Sequence, residues 1–437
     1  MKSSLLLVLG VTGIAWMLSI DPTWFAQPHT VWSIRKEAIV LSGMLSYALM
    51  AWLMLLANRP ARLERWLGGL DKLYWMHKWA GIYAAVLFFL HWMIKLVPKW
   101  LAGWGWIAAK PRGGSGSAAL LGPQLTGLAK DAGEWTIYLM LALVAIALLR
   151  LIPYHWFRKV HRLFALAFLA VTFHAVVLLP VAQWQTPLGV LLLLSATVGS
   201  ITAIRSLAGH IGRSRQHTGS LTGVERQDGG IVELHCTLDD AGMPHRPGQF
   251  AYLRIGDDGE PHPFSIVSAG DTPREVRFAI KDLGDDTRRM QILQPGLPVR
   301  IEGPYGRFDF ADRGSGQVWV ATGIGITPFL SRLDWLARHG GSKQPVSLFY
   351  CGGTPAGNPF SARLARLCQK AGVTLHWVLR DSDGPLTLAK ILSDNRHASQ
   401  STLWYCGAQA LGDALEKSWR NLGLPGWRFH RERFAMR

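Results

Sequence analysis

Two apolar stretches decide the fold of this chain: residues 74–97 read YWMHKWAGIYAAVLFFLHWMIKLV, and residues 160–180 read VHRLFALAFLAVTFHAVVLLP. Each stretch is long enough to cross the roughly 30 Å hydrocarbon core of a bilayer as a helix. Each also carries two histidines, one near either end, and these are His77, His91, His161 and His174. An imidazole inside a membrane helix is energetically costly and indicates a functional site.

The two histidine pairs have nearly equal spacings of 14 and 13 residues, which correspond to about 21 and 20 Å along a helix. Antiparallel helices with these spacings pair His77 with His161 and His91 with His174, as axial ligands for two stacked haems. Thirteen residues of ideal helix turn His174 away from the face of His161, so a bend, a tilt or local unwinding is required. Histidines that only pack are the alternative, and two matched pairs argue against it.

Six apolar stretches can span a bilayer, and they are residues 5–20, 38–57, 74–97, 135–152, 160–180 and 187–207. The first is short and follows Lys2, but it lacks a clear small-x-small cleavage site, so we interpret it as a span rather than a signal peptide. Basic residues concentrate between the second and third spans, between the fourth and fifth, and after the sixth. The positive-inside rule then predicts a multi-pass cell-membrane protein with both termini in the cytoplasm.

The net charge of +17 belongs mostly to the apolar half of the chain. Through Arg215 there are 20 Lys and Arg against 6 Asp and Glu, and after it 26 against 23. Basic residues that flank membrane spans reflect topology, whereas a nucleic-acid binder carries a basic patch on a soluble fold. We therefore expect the lipid bilayer as a partner and no nucleic acid.

From about Arg215 the sequence pattern changes to alternating apolar runs separated by Gly, Pro and Asp. Runs such as residues 231–238 and 276–280 predict a small antiparallel β-barrel that ends near Pro304. Residues 318–321 then predict a strand, followed by a glycine-rich turn, a helix near 328–338 and a strand at 346–350. This order is typical of an open parallel α/β sheet.

These patterns predict a membrane all-α six-helix haem bundle over residues 1–210, an antiparallel β-barrel over 215–310 and an α/β nucleotide-binding domain over 315–437. All cysteines lie in the second half without a metal-site spacing, and they are Cys236, Cys351, Cys368 and Cys406. This distribution fits a reducing cytosol without disulfides and argues against an iron–sulfur cluster.

Two short motifs in the predicted barrel, HPFS and K-x-x-G-x-x-T, resemble the flavin-contact elements of the ferredoxin–NADP reductase fold. The first, HPFS, offers an aromatic plane for the isoalloxazine and a hydroxyl for its N5 edge, from His262, Pro263, Phe264 and Ser265. The second, K-x-x-G-x-x-T, consists of Lys281, Gly284 and Thr287. Its glycine permits close backbone approach, and its Thr hydroxyl or backbone N–H groups suit a pyrophosphate. Either motif alone also fits an ordinary strand end or turn.

A third motif, TGIGITP, follows a predicted strand and opens a helix, with key residues Thr322, Gly323, Gly325, Thr327 and Pro328. Glycines in this context let the backbone approach a dinucleotide pyrophosphate at a helix N-terminus. A later strand ends in Cys406 and Gly407, where Cys406 also fits the role of a small buried residue. No Arg or Lys directly follows the strand at 346–350, so the local residues leave NADPH and NADH open.

Taken together, these features resemble the ferric reductase-like transmembrane and NADPH oxidase superfamily, here in a bacterial NADPH oxidase-like form. The C-terminal half resembles a ferredoxin–NADP reductase-like module with FAD- and NAD(P)-binding domains. The resemblance implies that the four membrane histidines are axial ligands of two b-type haems, and that Ser265 and Cys406 are catalytic. It also implies that Phe434 covers the flavin, although three residues follow it.

The resemblance further implies an oxidoreductase that passes electrons from cytosolic NADPH (or NADH) through FAD and two haem b groups to an extracytoplasmic acceptor. Oxygen, giving superoxide, is the preferred acceptor, because residues 98–134 offer no acidic or histidine cluster for iron. A ferric chelate, a quinone and a partner protein are the alternatives. A six-helix transporter with a nucleotide-sensing domain is the rival of another class, and the oligomeric state stays open.

Overall fold

A computed structural model describes residues 2–110, 122–149, 152–256, 259–311, 315–395 and 399–432 of the chain. These residues form two compact units. One comprises Met1–Leu67 and Lys72–Ile211, and the other comprises Gly68–Asp71 and Gly212–Arg437. The first unit is helical, and the second contains two β-sheets with their connecting helices.

The helices of the first unit are α1 Lys2–Met17, α2 Val31–Ala57, α3 Ala61–Leu67, α4 Leu70–Gly103, α5 Pro123–Leu149, α6 Tyr154–His161, α7 Leu163–Leu178 and α8 Pro187–Leu207. Helix α2 packs against α1 and α8, and α7 packs against α5 and α8. At the meeting point of α2, α7 and α8 the rings of Tyr47 and Phe168 stack at 5.4 Å. Gly199 of α8 leaves room for Phe168, whose ring a Cβ at that position would overlap.

Five helical segments of the described chain are long and apolar enough to cross a membrane: Val31–Ala57, Leu70–Gly103, Pro123–Leu149, Trp156–Leu178 and Pro187–Leu207. The prediction of several apolar helices in this half is therefore confirmed. Helix α1 has 16 residues, or about 24 Å, which is shorter than the hydrocarbon core of about 30 Å. The sixth span thus stays a prediction.

The helix that contains the fourth apolar stretch begins before that stretch. Helix α5 starts at Pro123, whereas the apolar stretch starts at Trp135. Proline is favoured in the first turn of a helix, where its missing N–H costs nothing. The helix therefore extends through polar residues such as Lys130 and Glu134 before its apolar part begins. An apolar stretch identifies the part of a helix that can lie in lipid, but it does not identify the first residue of the helix.

The first sheet of the second unit is antiparallel, in the strand order β4-β3-β6-β1-β2-β5. Its strands are β1 Gln216–Gln227, β2 Ile231–Leu238, β3 Phe250–Ile255, β4 His262–Ser265, β5 Glu275–Lys281 and β6 Pro298–Tyr305. A single bridge between Ile266 and Phe278 joins the end of β4 to β5, which closes the sheet towards a barrel. Alternate apolar side chains such as Val232 and Leu234 fill its interior. Helix α9, Asp285–Met290, follows β5.

The second sheet is parallel, in the order β11-β10-β7-β8-β9. Its strands are β7 Gln317–Thr322, β8 Val346–Cys351, β9 Thr374–Trp377, β10 Thr402–Cys406 and β11 Phe429–Arg431. The helices around it are α10 Thr327–Arg338, α11 Ser361–Ala371, α12 Arg380–Asp383, α13 Leu388–Asp394 and α14 Gln409–Asn421. The carboxyl ends of parallel strands form the edge where such sheets bind ligands.

A buried carboxylate joins the two sheets of the second unit. Glu233 of β2 is buried, and its two oxygens lie 3.2 Å from Arg277 Nη1 and 2.8 Å from Arg363 Nη1. Arg277 belongs to the barrel strand β5, whereas Arg363 belongs to α11 beside the parallel sheet. The ion pair between Glu233 and Arg363 therefore fixes the barrel against the nucleotide-binding part.

We predict that Glu233→Gln destabilises the second unit by about 3 kcal/mol, because removing one partner leaves buried charge uncompensated. The measurement is chemical unfolding of the purified protein. Glu225→Gln is the matched control, because Glu225 lies on the neighbouring strand with a mostly exposed side chain and a 3.3 Å contact to His235. Such surface pairs contribute little. Equal midpoints for the Glu233→Gln and Glu225→Gln variants would contradict the bridging role.

Candidate functional site

The first histidine pair lies between α4 and α6. The ring centroids of His77 and His161 are 6.1 Å apart, with the ring planes at 56°. Two imidazoles that share one iron through their Nε2 atoms have centroids about 6 Å apart, because each metal–nitrogen bond is about 2 Å long. The separation of His77 and His161 therefore suits a single iron between them. The Nδ1 atoms of both rings are buried and lack a hydrogen-bond partner among the described residues.

The second pair, His91 and His174, lies on α4 and α7. His91 Nδ1 lies 3.0 Å from the Ile39 carbonyl, and His174 Nδ1 lies 2.8 Å from the Ala129 carbonyl. Since a carbonyl only accepts, both contacts favour the tautomer with the proton on Nδ1 and the lone pair on Nε2. The structure thus brings His77 and His161 together, as the spacing predicts, and gives His91 and His174 equivalent backbone contacts.

The helix that carries His161 and His174 is interrupted between them. Helix α6 ends at His161 and α7 begins at Leu163, whereas α4 is continuous from His77 to His91. Fourteen residues of ideal helix leave two side chains about 40° apart, but thirteen leave them about 140° apart. An interruption at Arg162 is one of the corrections that the shorter spacing requires.

The donor set of each pair fits a haem better than a free metal ion. The described ranges contain no group of three or more His, Cys, Asp or Glu side chains that could hold a metal. Two imidazoles are too few for a structural zinc, which takes four ligands. They are the number that an iron already bound by four porphyrin nitrogens still lacks.

The two predicted flavin motifs lie side by side in the barrel. Strand β4 carries residues His262–Ser265 and pairs with β3, with Ser265 opposite Phe250. His262 Nε2 lies 3.5 Å from Asp286 Oδ2 in the first turn of α9. The Thr287 hydroxyl accepts from the Leu283 N–H at 2.8 Å and donates to the Gly284 carbonyl at 2.9 Å. Thr287 therefore shapes the turn that carries this motif, and its contact with a pyrophosphate stays a prediction.

The glycine motif after β7 packs against Cys406 and Gly407. Strand β7 ends at Thr322, Gly323 is left-handed with φ +52°, and α10 begins at Thr327 with Pro328 in its first turn. A Cβ at Gly325 would overlap the Cys406 carbonyl, and a Cβ at Gly407 would overlap the Thr322 hydroxyl. That hydroxyl accepts from the Ala408 N–H at 2.8 Å. Thr322, found where the resembled motif has glycine, therefore ties the two segments together.

A cleft of about 360 Å³ connects the barrel and the parallel sheet. Lys281 of the barrel and Gly323 and Tyr350 of the sheet edge line it, and Lys281 is the one charged residue of the lining. The Tyr350 hydroxyl donates to the Gly323 carbonyl at 3.2 Å and accepts from Asn358 Nδ2 at 3.1 Å. Burial raises the pKa of Tyr350, so its hydroxyl stays a donor. The cleft therefore suits an anionic dinucleotide.

Cys406 is buried, and Glu432 is half-buried near the same sheet edge. Burial, together with the nearby Glu432 carboxyl, raises the pKa of the Cys406 thiol well above its usual range. Burial and the proximity of Asp71 likewise raise the pKa of Glu432. The Cys406 thiol is therefore neutral at pH 7. Ser265 lies on the barrel, and Phe434 falls outside the described residues.

Sequence reasoning missed several residues that shape these sites. Tyr350 and Asn358 organise the cleft, and Gly43 and Gly133 lie against the rings of His91 and His174. The two glycines left a signal, because a glycine inside an apolar helix that serves no turn usually has a packing or functional reason. The Tyr350–Asn358 contact had no such local mark.

Comparisons with known proteins divide the chain in the same way. The family described as "Ferric reductase like transmembrane component" matches residues 42–172. This range includes three of the four membrane histidines, His77, His91 and His161, and ends before His174. It therefore covers most of α2 to α7 and leaves the second unit to other relatives.

The second half is similar to reductase components. It is 30% identical to the ferredoxin–NAD(+) reductase component of the Xanthobacter autotrophicus alkene monooxygenase system, over 51% of this chain and 71% of that protein. It is 30% identical to the propane 2-monooxygenase reductase component of Rhodococcus jostii, over 31% of this chain but only 38% of that protein. A probable electron transfer subunit of dihydroorotate dehydrogenase B from Methanopyrus kandleri is 41% identical, over 21% of this chain and 34% of its own length.

Among solved structures, a flavohemoglobin from Malassezia yamatoensis aligns with a TM-score of 0.47 and 17% identity, over 71% of this chain and 97% of that one. Two segments of known type thus account for the chain, a membrane segment from the family match and a reductase segment from the relatives. The chain therefore belongs to the oxidoreductases that combine a ferric reductase-like transmembrane component with a C-terminal ferredoxin reductase-like FAD/NAD-binding domain.

Proposed function

We propose that this protein transfers electrons from NADPH or NADH across a membrane to an acceptor on the opposite side. The observation that carries the proposal is the presence of two matched histidine pairs in apolar helices and a dinucleotide cleft in one chain. We assign residues 1–210 to a six-span di-haem domain, 215–310 to FAD binding and 315–437 to NAD(P) binding. Both termini and the second unit then lie in the cytoplasm.

FAD and two b-type haems, when bound, would supply the chemistry that turns a hydride into single electrons for transfer across the membrane. In this proposal His77 and His161 hold one haem, and His91 and His174 hold the other. Residues 262–265 and 281–287 bind FAD. Residues 322–328, together with Cys406 and Gly407, bind the nicotinamide nucleotide at the carboxyl edge of the sheet.

The side chains around the nicotinamide have positioning roles. The Cys406 thiol is small and neutral, and the backbone of Cys406 packs against Gly325, so a nicotinamide ring can approach the flavin without meeting a charge. The Ser265 hydroxyl, on the barrel side, offers a hydrogen bond to the flavin edge. Lys281 attracts the phosphates into the cleft, and the neutral lining around it leaves room for the nucleotide.

Oxygen is the acceptor that we propose first. Between residues 98 and 134 the sequence has two acidic residues, Asp131 and Glu134, and no histidine. The Glu134 carboxylate is already paired with Lys95 Nζ at 3.0 Å. Ferric iron prefers oxygen and imidazole ligands, and this segment offers few of them. Ferric chelates, quinones and a partner protein remain the alternative acceptors.

We predict that His91→Ala and His174→Ala each reduce the haem content of the purified protein from two to one per chain. Either change removes an axial ligand while the other pair stays intact. The measurement is the pyridine haemochrome content with the Soret spectrum. His210→Ala is the control, because His210 is exposed beyond the end of α8. Two full haem equivalents in both variants would refute the ligand assignment.

We predict that Cys406→Ala slows FAD reduction by NADPH about 10-fold, because a small misplacement of reacting groups is costly to hydride transfer. Stopped-flow absorbance of the purified protein measures this step. Cys368→Ala is the matched control, because Cys368 is also buried and has a pKa raised to about 12, but lies on α11. A similar slowing in the Cys368→Ala variant would indicate a general packing effect instead.

We predict that NADPH drives superoxide release from proteoliposomes that contain the protein with both haems. NADPH is enclosed in the vesicles, and the assay is cytochrome c reduction outside them, with and without superoxide dismutase. Dismutase should abolish the signal if oxygen is the acceptor. Rapid reduction of a ferric chelate without a dismutase-sensitive signal would show that the acceptor is ferric iron and not oxygen. If the protein reduces neither oxygen nor a ferric chelate, a quinone or a partner protein becomes the favoured acceptor.

A further inference from the structure

Two glycines lie inside helices of the first unit that contact the paired histidines, Gly43 in α2 and Gly133 in α5. Both lie well inside their helices and have no role in a turn. Glycine inside a helix costs about 1 kcal/mol relative to alanine, because the backbone loses more freedom. Two such positions therefore call for a structural reason.

Each glycine faces one histidine of the same pair. A Cβ at Gly43 would lie 3.1 Å from both Nδ1 and Cε1 of His91. A Cβ at Gly133 would overlap Nδ1 and Cε1 of His174. The absence of a side chain at these positions therefore lets each imidazole ring approach the neighbouring helix backbone.

The register of the two contacts is the same. His91 Nδ1 reaches the carbonyl of Ile39, and His174 Nδ1 reaches the carbonyl of Ala129. In both helices the glycine is four residues after the accepting carbonyl. In an α-helix that carbonyl already accepts the N–H of the glycine, so the imidazole must use its second lone pair. A Cβ on the glycine would stand in this path.

We propose that Gly43 and Gly133 are positioning residues, which select the Nδ1-protonated tautomer of His91 and His174 and so prepare their Nε2 atoms for iron. This inference rests on the proposed function. A hydrogen bond at Nδ1 also makes the imidazole a more basic ligand. By allowing these hydrogen bonds, Gly43 and Gly133 would therefore stabilise the ferric state of a haem held by His91 and His174.

The other pair lacks this arrangement. The Nδ1 atoms of His77 and His161 have no hydrogen-bond partner among the described residues. The Leu53 carbonyl is near His77 but outside hydrogen-bond geometry. Four residues after Leu53 the chain has Ala57, which carries a Cβ. The ligands of the two haems therefore differ in basicity, although all four are histidines.

The test compares three glycine-to-alanine variants of the full-length protein. Alanine favours helix formation, so none of them weakens its helix. Gly133→Ala should lose one of two haems, because its Cβ displaces His174. Gly43→Ala should keep both haems and shift the midpoint potential of one to a more positive value, because His91 must retreat and its hydrogen bond weakens. Gly127→Ala, also on α5 but with nothing within 4 Å of its Cβ, should match the parent.

Haem content and optical redox titration distinguish the possible failures. Two haems with the parent's potentials in both Gly133→Ala and Gly43→Ala would overturn the inference and leave the proposed function intact. The same loss in Gly127→Ala would also overturn it. A parent protein without haem would overturn the proposed function, and the inference with it. If the Gly133→Ala variant fails to accumulate, the Gly43→Ala variant alone tests the inference: a more positive midpoint potential supports it, and the parent's potential overturns it.

Discussion

Four half-buried imidazoles in an apolar helix bundle are the constraint on which the first unit depends. In a membrane a polar group without a partner costs several kcal/mol, so each ring needs a hydrogen-bond acceptor, a metal or both. His91 and His174 reach backbone carbonyls of α2 and α5. Satisfying these rings sets the distance between neighbouring helices, and it explains the helix interruption at Arg162. The packing of these helices is therefore arranged around the hydrogen bonds of the histidines.

Close backbone approach is the corresponding constraint in the second unit. The carboxyl ends of β7, β8 and β10 meet at one edge, where Gly325 and Gly407 allow two segments to touch. Thr322 joins these two segments by accepting from the Ala408 N–H, and Asn358 donates to the Gly352 carbonyl just after β8. The single charge of the cleft, Lys281, comes from the barrel. A binding site of this kind exists only when both sheets are held together, as the ion pair between Glu233 and Arg363 does.

The two units suit two kinds of chemistry. A hydride carries two electrons and needs a rigid contact between two rings, which the sheet edge and the barrel provide. Single electrons pass between cofactors held at fixed depths, which long helices provide. The relatives and the family match divide along the same boundary, because reductase components match the second half and the ferric reductase-like component matches the first. The proposed electron path follows from joining both halves in one chain.

The sequence by itself determined the elements of the fold. Apolar length marked five of the described helices, alternation marked strands such as β2 and β5, and spacing marked the histidine pairs. These signals are local, because a helix or a strand repeats over a few residues. Only the tertiary structure decided which carbonyl satisfies His174, why Gly133 lacks a side chain, and that Glu233 bridges to Arg363. Such contacts join residues distant along the chain, and their partners leave no periodic mark in the sequence.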